Sequence, residues 1–182
     1  MKVLRALLMG SMILVPAIAM AQDVKVDFDK AFDFSTVKTY AIRIGTGWGN
    51  DLGERRVLAE FDEAISAKGW KKAPEGQANV QVVLNGATST KRSASTFYSG
   101  GMGGYGYRYG GWGGGMGTST TVVDEYTVGT LVVDMFDTKS KNLIFRGTAS
   151  DEISDKAEKN VKKLEKASDK MFKNFPPKPA TK

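Results

Sequence analysis

A cluster of aromatic side chains and one arginine lies inside a glycine-rich stretch of this 182-residue chain. Glycine fills 11 of the 18 positions from 100 to 117, and between the glycines stand Tyr105, Tyr107, Arg108, Tyr109 and Trp112. Flat aromatic faces on a flexible backbone can stack on sugar rings or insert at a membrane interface. We therefore predict a flexible Gly/Tyr/Trp-rich loop over residues 97–118 that takes part in surface recognition. The alternatives are a low-complexity insertion without a ligand and a loop whose aromatic side chains fold back onto the sheet.

Lysines recur near the C-terminus at a spacing that places them on one side of a helix. At about 100° per residue, the seven lysines from 156 to 173 fall within an arc of about 120°, opposite an apolar stripe. Basic residues near an anionic surface contribute about 1 kcal/mol each before screening, so this face could contact anionic lipid or lipopolysaccharide. The candidate contact residues are Lys156, Lys159, Lys163, Lys166 and Lys170. The alternative is an ordinary solvated helix face.

Histidine and cysteine are both absent from the chain. This excludes a Ser-His-Asp triad, a cysteine nucleophile, a histidine acid or base and the usual zinc sites. A carboxylate-dependent hydrolase remains the alternative, because four acidic residues lie on or near predicted strands, although no spacing identifies an acid and a base. These residues are Asp124, Glu125, Asp134 and Asp151.

Ligand sites of other kinds are also not indicated. Asp27 and Asp29 offer two carboxylates, whereas calcium takes six to eight oxygen ligands from a loop shaped around it. The glycine-rich stretch lacks the lysine and the strand-loop-helix context of a phosphate-binding loop. We therefore expect no catalytic residue, no metal and no cofactor, and we interpret the chain as a non-enzymatic binding or structural module.

Hydrophobic periodicity predicts the secondary structure that must hold these residues. Alternation of apolar and polar residues predicts strands over 23–28, 40–44, 80–84, within 122–136 and over 143–149. Helical spacing predicts helices over 51–68 and 154–172. The first is expected to stop at Gly69, and the second to begin with a capping box formed by Ser154 or Asp155 with Glu158.

This order of elements predicts an α+β fold, with a mainly antiparallel sheet of about five strands and two helices packed on one face. The long glycine- and aromatic-rich loop joins the third and fourth strands. We expect one domain over residues 22–177, because the length is enough for one real core but too short for two comfortable ones. A disordered tail over 178–182 follows Pro176 and Pro177.

The N-terminus has the three parts of a secretory signal peptide. Lys2 and Arg5 precede an apolar run that is too short for a membrane span, and Ala19 and Ala21 suit a signal peptidase. We expect residues 1–21 to be removed after Ala21, which leaves no transmembrane segment in the mature form. Loss of Lys2 and Arg5 reduces the formal charge from +6 to +4. Export and this moderate charge favour an anionic surface over nucleic acid as a partner.

Several short motifs, in order, resemble those of a bacterial envelope domain of unknown function, number 4136. The motifs are Asp27, Phe34-Ser35, Lys38-Thr39-Tyr40, Gly69-Trp70, Ala78-Asn79-Val80, Tyr126-Thr127, Gly129-Thr130-Leu131, Phe145-Arg146-Gly147 and Phe175-Pro176-Pro177. The resemblance covers nearly all of the chain after the signal peptide. It implies a location in the cell envelope, no assigned enzyme activity and a variable loop often rich in glycine, tyrosine and tryptophan.

Three positions depart from the pattern of that family. Its members are mostly lipoproteins, which need a cysteine at the cleavage point, whereas this chain has Ala21-Gln22 there. Asn79 and Phe145 stand where the family pattern has Asp and Trp. We therefore expect a periplasmic protein without a lipid anchor, with association with the outer membrane or secretion as the alternatives. The expected partner is another envelope protein, a glycan or the anionic outer-membrane surface, and the oligomeric state is left open.

Overall fold

A computed structural model of the protein describes residues 22–99 and 118–178. Six strands and two α-helices follow one another in these ranges, and a short 3₁₀ turn, Phe34–Thr36, lies after the first strand. The strands are β1 (Asp23–Phe28), β2 (Thr39–Ile44), β3 (Lys71–Lys72), β4 (Val80–Ser99), β5 (Thr118–Asp137) and β6 (Leu143–Glu152). The helices are α1 (Asp51–Ser66) and α2 (Ala157–Phe172).

The strands form one mixed sheet in the order β1-β6-β5-β4-β2-β3. Antiparallel pairs join β1 to β6, β6 to β5 and β5 to β4, whereas β2 runs parallel to both β3 and β4. The parallel pair arises because α1 is the crossover between β2 and β4, and a crossover returns the chain in the same direction. The α+β class is confirmed. The expected mainly antiparallel sheet of about five strands is corrected to a mixed sheet of six, since β3 has only two exposed lysines and no alternation to reveal it.

The two central strands are much longer than the apolar pattern predicted. β4 and β5 pair without interruption from Val80↔Asp137 to Ser99↔Thr118. The strands therefore include residues 97–99 and 118 of the predicted loop. The extension is rich in serine and threonine on both faces, so it lacks the alternation that marks a half-buried strand, and backbone pairing defines it instead. Residues 100–117, with the five candidate recognition residues Tyr105, Tyr107, Arg108, Tyr109 and Trp112, lie outside the described ranges.

The helix boundaries follow local capping. The Asn50 side chain accepts a hydrogen bond from the Gly53 amide at 3.1 Å and caps α1. The chain leaves this helix through Gly69, whose φ of +91° suits glycine alone, as predicted. The predicted capping box of α2 is wrong: the helix begins at Ala157, and its N-cap residue, Lys156, makes no side-chain cap hydrogen bond. The Asn160 side chain instead bonds both the amide and the carbonyl of Ser154, and so holds the preceding turn.

Both helices cover the same face of the sheet. The buried strand residues alternate along β4, β5 and β6, and they form one apolar cluster with side chains of both helices. The fully buried members of this cluster include Val82, Leu84, Val133, Met135, Phe145, Phe61, Ile65 and Phe172. The domain is therefore a two-layer structure with one core between the sheet and the helices.

An aromatic cluster fills one end of that core, and Phe175 lies at its centre. The Phe175 ring centroid lies 5.0 Å from that of Trp70, 5.1 Å from that of Phe172, 5.4 Å from that of Phe145 and 6.0 Å from that of Phe34. All four contacts are edge-to-face, the geometry that aromatic quadrupoles favour. The segment after α2 is thereby fixed against both the sheet and the turns that flank it.

The buried phenol of Tyr40 connects β2 to α1. Its hydroxyl lies 2.7 Å from the Asp62 carboxylate, 2.7 Å from the Ser66 hydroxyl and 2.9 Å from the Asp62 carbonyl. Lys72 donates to the other Asp62 oxygen at 2.9 Å, so β3 joins the same network. Burial, with the adjacent Asp62 carboxylate, raises the pKa of Tyr40 to about 12.

Replacing Tyr40 by Phe is expected to lower the free energy of unfolding by about 1 kcal/mol at pH 7, because the network loses a buried hydrogen-bonded hydroxyl. The phenol ionises near pH 10.0 when exposed and near 12 in the folded protein, so stability falls as pH rises across that window. The free energy of unfolding of the Tyr40→Phe variant should therefore decrease less steeply between pH 10 and pH 12 than that of the wild type. Urea unfolding at pH 7, 10 and 11.5 measures both effects. Tyr126→Phe is the matched control, because the Tyr126 hydroxyl makes no hydrogen bond to the described residues, and an equal loss in that variant would contradict the assignment.

Candidate functional site

A cavity of about 510 Å³ opens on the helix side of the sheet, at the end remote from Phe175. The N-terminal halves of α1 and α2 form two of its walls, through residues such as Val57 and Val161. Its floor is the part of the sheet where β4, β5 and β6 pass Thr88, Leu131 and Ala149. The C-terminal halves of the same helices lie in the core, through Phe61 and Phe172. One face of the sheet is thus filled at one end and hollow at the other.

Residue size explains why the space remains open. Along β6, the residues that face the helices change from Phe145 to Gly147 and then to Ala149 towards the cavity. The Met171 side chain closes over Gly147, and beyond it the small side chain of Ala149 lines the cavity. The walls are mainly apolar, and their principal side chains are Trp48, Val57, Leu131, Ile153, Val161 and Leu164.

Trp48 closes the cavity on the side of β4. Its indole ring lies directly on the backbone of Gly86, so closely that a Cβ atom at that position would overlap the ring. The Trp48 amide donates to the Glu54 carboxylate at 2.8 Å, which fixes the loop between β2 and α1. Glycine at position 86 is therefore required by the approach of the ring, and the ring supplies one flat, apolar wall.

A charged network borders the cavity on the side of β6. The Lys163 ammonium donates to the Asp151 carboxylate at 3.0 Å and to the Glu152 carbonyl at 2.6 Å. About a third of the Lys163 side chain and a fifth of the Asp151 side chain remain exposed, so this pair is partly shielded from solvent. It joins α2 to the end of β6 and neutralises the Asp151 carboxylate.

Gln22 supplies an unsatisfied acceptor at the same rim. Its amide nitrogen donates to the Lys163 carbonyl at 2.8 Å, across 141 residues of sequence. Its Oε1 atom is buried and has no hydrogen-bond partner within residues 22–99 and 118–178. An unpaired buried acceptor costs about 1–3 kcal/mol, so a ligand that donates a hydrogen bond here would regain that energy.

These features define the chemistry that the cavity can accept. Apolar walls favour a hydrophobic body, and a lining with both acidic and basic side chains does not favour a strongly charged ligand of either sign. Gln22 favours a group with an N–H or O–H. The volume falls within the range of small-molecule pockets. A neutral amphiphile with one donor group fits this combination.

The predicted lysine surface is present but incomplete. Lys156, Lys159 and Lys166 are exposed on α2. Lys170 is also exposed, with its ammonium 3.5 Å from the Gln22 carbonyl. Lys163 departs from the expected exposed set, because it turns towards β6 and bonds Asp151. Helical spacing placed all five on one arc, but it could not reveal that β6 ends beside one of them.

The four candidate carboxylates are distributed over different parts of the fold. Asp134 is buried on the sheet face opposite the helices, where Arg146 binds both of its oxygens at 2.6 and 2.9 Å. This pairing raises the pKa of Arg146 above its usual value. Asp151 pairs with Lys163 on the helix face, and Glu125 pairs with Arg92 at 2.9 Å on the exposed part of β5 beside Asp124. Asp134 and Asp151 therefore lie on opposite faces of the sheet and cannot act on one bond.

Two further observations concern the described ranges alone. Residues 22–99 and 118–178 contain no group of three or more acidic side chains that could hold a metal ion. Neither α1 nor α2 has the length and apolarity that a membrane span requires.

Sequence reasoning did not find the cavity. Its walls come from residues that one-dimensional patterns assign to ordinary helix and strand interiors, and its distinguishing feature is small side chains stacked across neighbouring strands. The available signal was the Gly129-Thr130-Leu131 motif, which interrupts an otherwise apolar strand with glycine. Interior glycine in a strand often marks close approach or a recess. The Ile153 side chain indeed lies over Gly129.

A family model described as a domain of unknown function, DUF4136, matches residues 24–177. The chain belongs to the DUF4136 family. Several motifs that carried the resemblance are structural in this fold. Tyr40, Trp70, Phe145 and Phe175 are core residues, and the Asn79 side chain accepts hydrogen bonds from the amides of Lys38 and Thr39 at 3.0 and 3.1 Å.

Solved structures with a similar fold share little sequence with this DUF4136 chain. A PDZ domain protein from Parabacteroides distasonis aligns with a TM-score of 0.52 at 12% identity, covering 88% of this chain and 37% of that protein. This chain therefore spans about a third of that relative, and the likeness concerns fold alone. The PelC dodecamer from Paraburkholderia phytofirmans aligns with a TM-score of 0.45 at 12% identity, covering 81% and 94% of the two chains. A search of curated protein sequences gave no match.

Proposed function

We propose that this DUF4136 protein is a non-enzymatic, exported protein of the bacterial cell envelope that binds a neutral amphiphile in the cavity between its helices and sheet. The observation that carries the proposal is the 510 Å³ recess, with its apolar walls and the unpartnered Gln22 oxygen at its rim. A binding role is favoured because each of the two carboxylates near the body of the sheet, Asp134 and Asp151, is engaged by a basic side chain.

The walls of the cavity have features that favour ligand binding and that an accidental packing gap would lack. Burying apolar surface yields about 25 cal/mol per Å², and a ligand here would contact Leu131, Val57 and Val161 on three different elements. The Trp48 ring lies on Gly86, and the Glu54 carboxylate holds the Trp48 backbone amide, so this wall needs little rearrangement to receive a ligand. Preorganised walls reduce the entropic cost of binding.

Location in the envelope is proposed from the N-terminal signal pattern and from the family. The expected mature chain begins at Gln22, which places the processed end at the cavity rim. Lys156, Lys159 and Lys166 on α2 add an exposed basic surface that suits the anionic outer-membrane surface. The protein is thus proposed to reside in the periplasm, at that surface.

Binding is tested with N-phenyl-1-naphthylamine, a neutral apolar probe with one N–H that fluoresces when it leaves water. We expect one saturable site per chain. Ala157→Trp should weaken binding at least tenfold, because Ala157 is an exposed helix residue at the cavity mouth and a large ring there obstructs entry. Fluorescence titration of the purified protein gives the affinity and the stoichiometry.

The matched control is Ala59→Trp, which adds the same ring to an exposed alanine of α1 away from the cavity. It should bind the probe as the wild type does. Urea unfolding of both variants checks that each remains folded. Absence of saturable binding, or equal weakening in the two variants, would contradict the proposed site.

Export is tested by intact mass and fractionation of cells that express the full chain. We expect a periplasmic form whose mass begins at Gln22, because Ala19 and Ala21 present small residues to the signal peptidase. Part of it should sediment with outer membranes at low salt. Replacing Lys159 and Lys166 by Glu should release that part, whereas replacing Lys30 and Lys139, two exposed lysines on loops, by Glu should not. A mass that retains residues 1–21, or a cytoplasmic location, would contradict the assignment.

A further inference from the structure

A two-stranded ribbon extends from the centre of the sheet. It consists of Thr90–Ser99 of β4 paired with Thr118–Thr127 of β5, ten residue pairs in all. At about 3.3 Å per residue it is about 33 Å long. The neighbouring strands stop at or before its base, since the last hydrogen bond from the β2 side reaches Gly86 and the last from the β6 side reaches Thr127, the basal β5 residue of the ribbon. Within the described ranges both long edges of the ribbon lack a partner strand.

Such a ribbon is poorly stabilised by itself. Two strands without a third strand or a covered face are marginal in water, and unpaired strand edges are templates for further pairing. The side chains of residues 90–96 and 119–127 are largely exposed, and they include Val122 and Val123 with 42% and 59% of their surface accessible. A partner that covered the edges would stabilise the ribbon and bury these valines.

Charge distinguishes the two edges. The β4 strand of the ribbon carries Lys91 and Arg92 and no acidic residue, whereas the β5 strand carries Asp124 and Glu125 and no basic residue. Both pairs lie at the same height, because Arg92 is opposite Glu125 and Ser93 is opposite Asp124. Pairing β4 with β4, or β5 with β5, would place like charges together. Pairing β4 of one molecule with β5 of the next would place opposite charges together.

We propose that the ribbon edges join copies of this chain head to tail, with the basic β4 edge of each copy against the acidic β5 edge of its neighbour. When neighbouring ribbons point the same way, β4 of one copy runs antiparallel to β5 of the next, as β4 and β5 do within one chain. Each copy uses two different edges, so the assembly contains more than two copies. The rest of the sheet is six strands wide, whereas the ribbon is only two strands wide. Neighbouring copies joined through their ribbons must therefore tilt away from one another, and this curvature favours a closed ring.

The test measures the mass of the assembled protein by light scattering after gel filtration. Wild-type protein should elute as a multiple of the chain mass, and the multiple should decrease at high salt. Lys91→Glu with Arg92→Glu makes both edges acidic, and Asp124→Lys with Glu125→Lys makes both basic. Each double variant alone should be monomeric, because like-charged edges meet.

Mixing the two double variants in equal amounts should restore assembly, since every junction then joins an acidic edge to a basic one. A ribbon that had merely lost its structure would not recover on mixing. Lys159→Glu with Lys166→Glu, an equal change of charge on α2, is the control and should assemble as the wild type does. A monomeric wild type overturns the proposal. In that case another part of the chain, or a different protein, covers the ribbon edges. Double variants that assemble alone, or a mixture that stays monomeric, also overturn it.

Discussion

The contact of Phe175 with Phe34, Trp70, Phe145 and Phe172 determines how the helices lie on the sheet. It joins the segment after α2 to a strand, to the turn after β1 and to the segment after α1. Rings of this size each bury a large apolar area, and their edge-to-face contacts add about 0.5–1.5 kcal/mol per pair beyond burial. The C-terminal halves of both helices are therefore held close to the sheet at one end of the domain.

The cavity is the consequence at the opposite end. The helices approach the sheet where phenylalanine and methionine fill the layer, and they stand over a floor of glycine and alanine where the cavity opens. The Lys163–Asp151 pair and the Ser154–Asn160 hydrogen bonds then fix the α2 end of this space without filling it. The same arrangement that stabilises the domain thus leaves a recess that a ligand can occupy. The same helices and strands therefore provide both the stability and the binding cavity.

The sequence predicted the parts of this fold whose signal is local. The boundaries of β1, the start of β6 and the body of α1 follow from apolar periodicity, and Gly69 marks the helix end because only glycine adopts its φ easily. β6 continues three residues beyond its predicted end, to Glu152. The start of α2 was placed too early, because a capping-box pattern at Asp155 and Glu158 competes with the turn that Asn160 holds. β3 and the outer parts of β4 and β5 were not predicted. Pairing with a neighbouring strand defines them, and their side chains show no alternation of apolar and polar residues. The cavity escaped for the same reason, since it depends on which small residues meet across strands.

Native-state hydrogen exchange tests the central claim that the aromatic end is the fixed end and the cavity end the open one. The comparison concerns amides inside each helix, residues 55–58 against 62–66 in α1 and 161–164 against 168–172 in α2. Local opening costs least where few apolar contacts hold an element. Exchange should be faster in the first set of each helix, and that set alone should slow when N-phenyl-1-naphthylamine is added. Equal protection along both helices, or slower exchange at the cavity end without the probe, would contradict it.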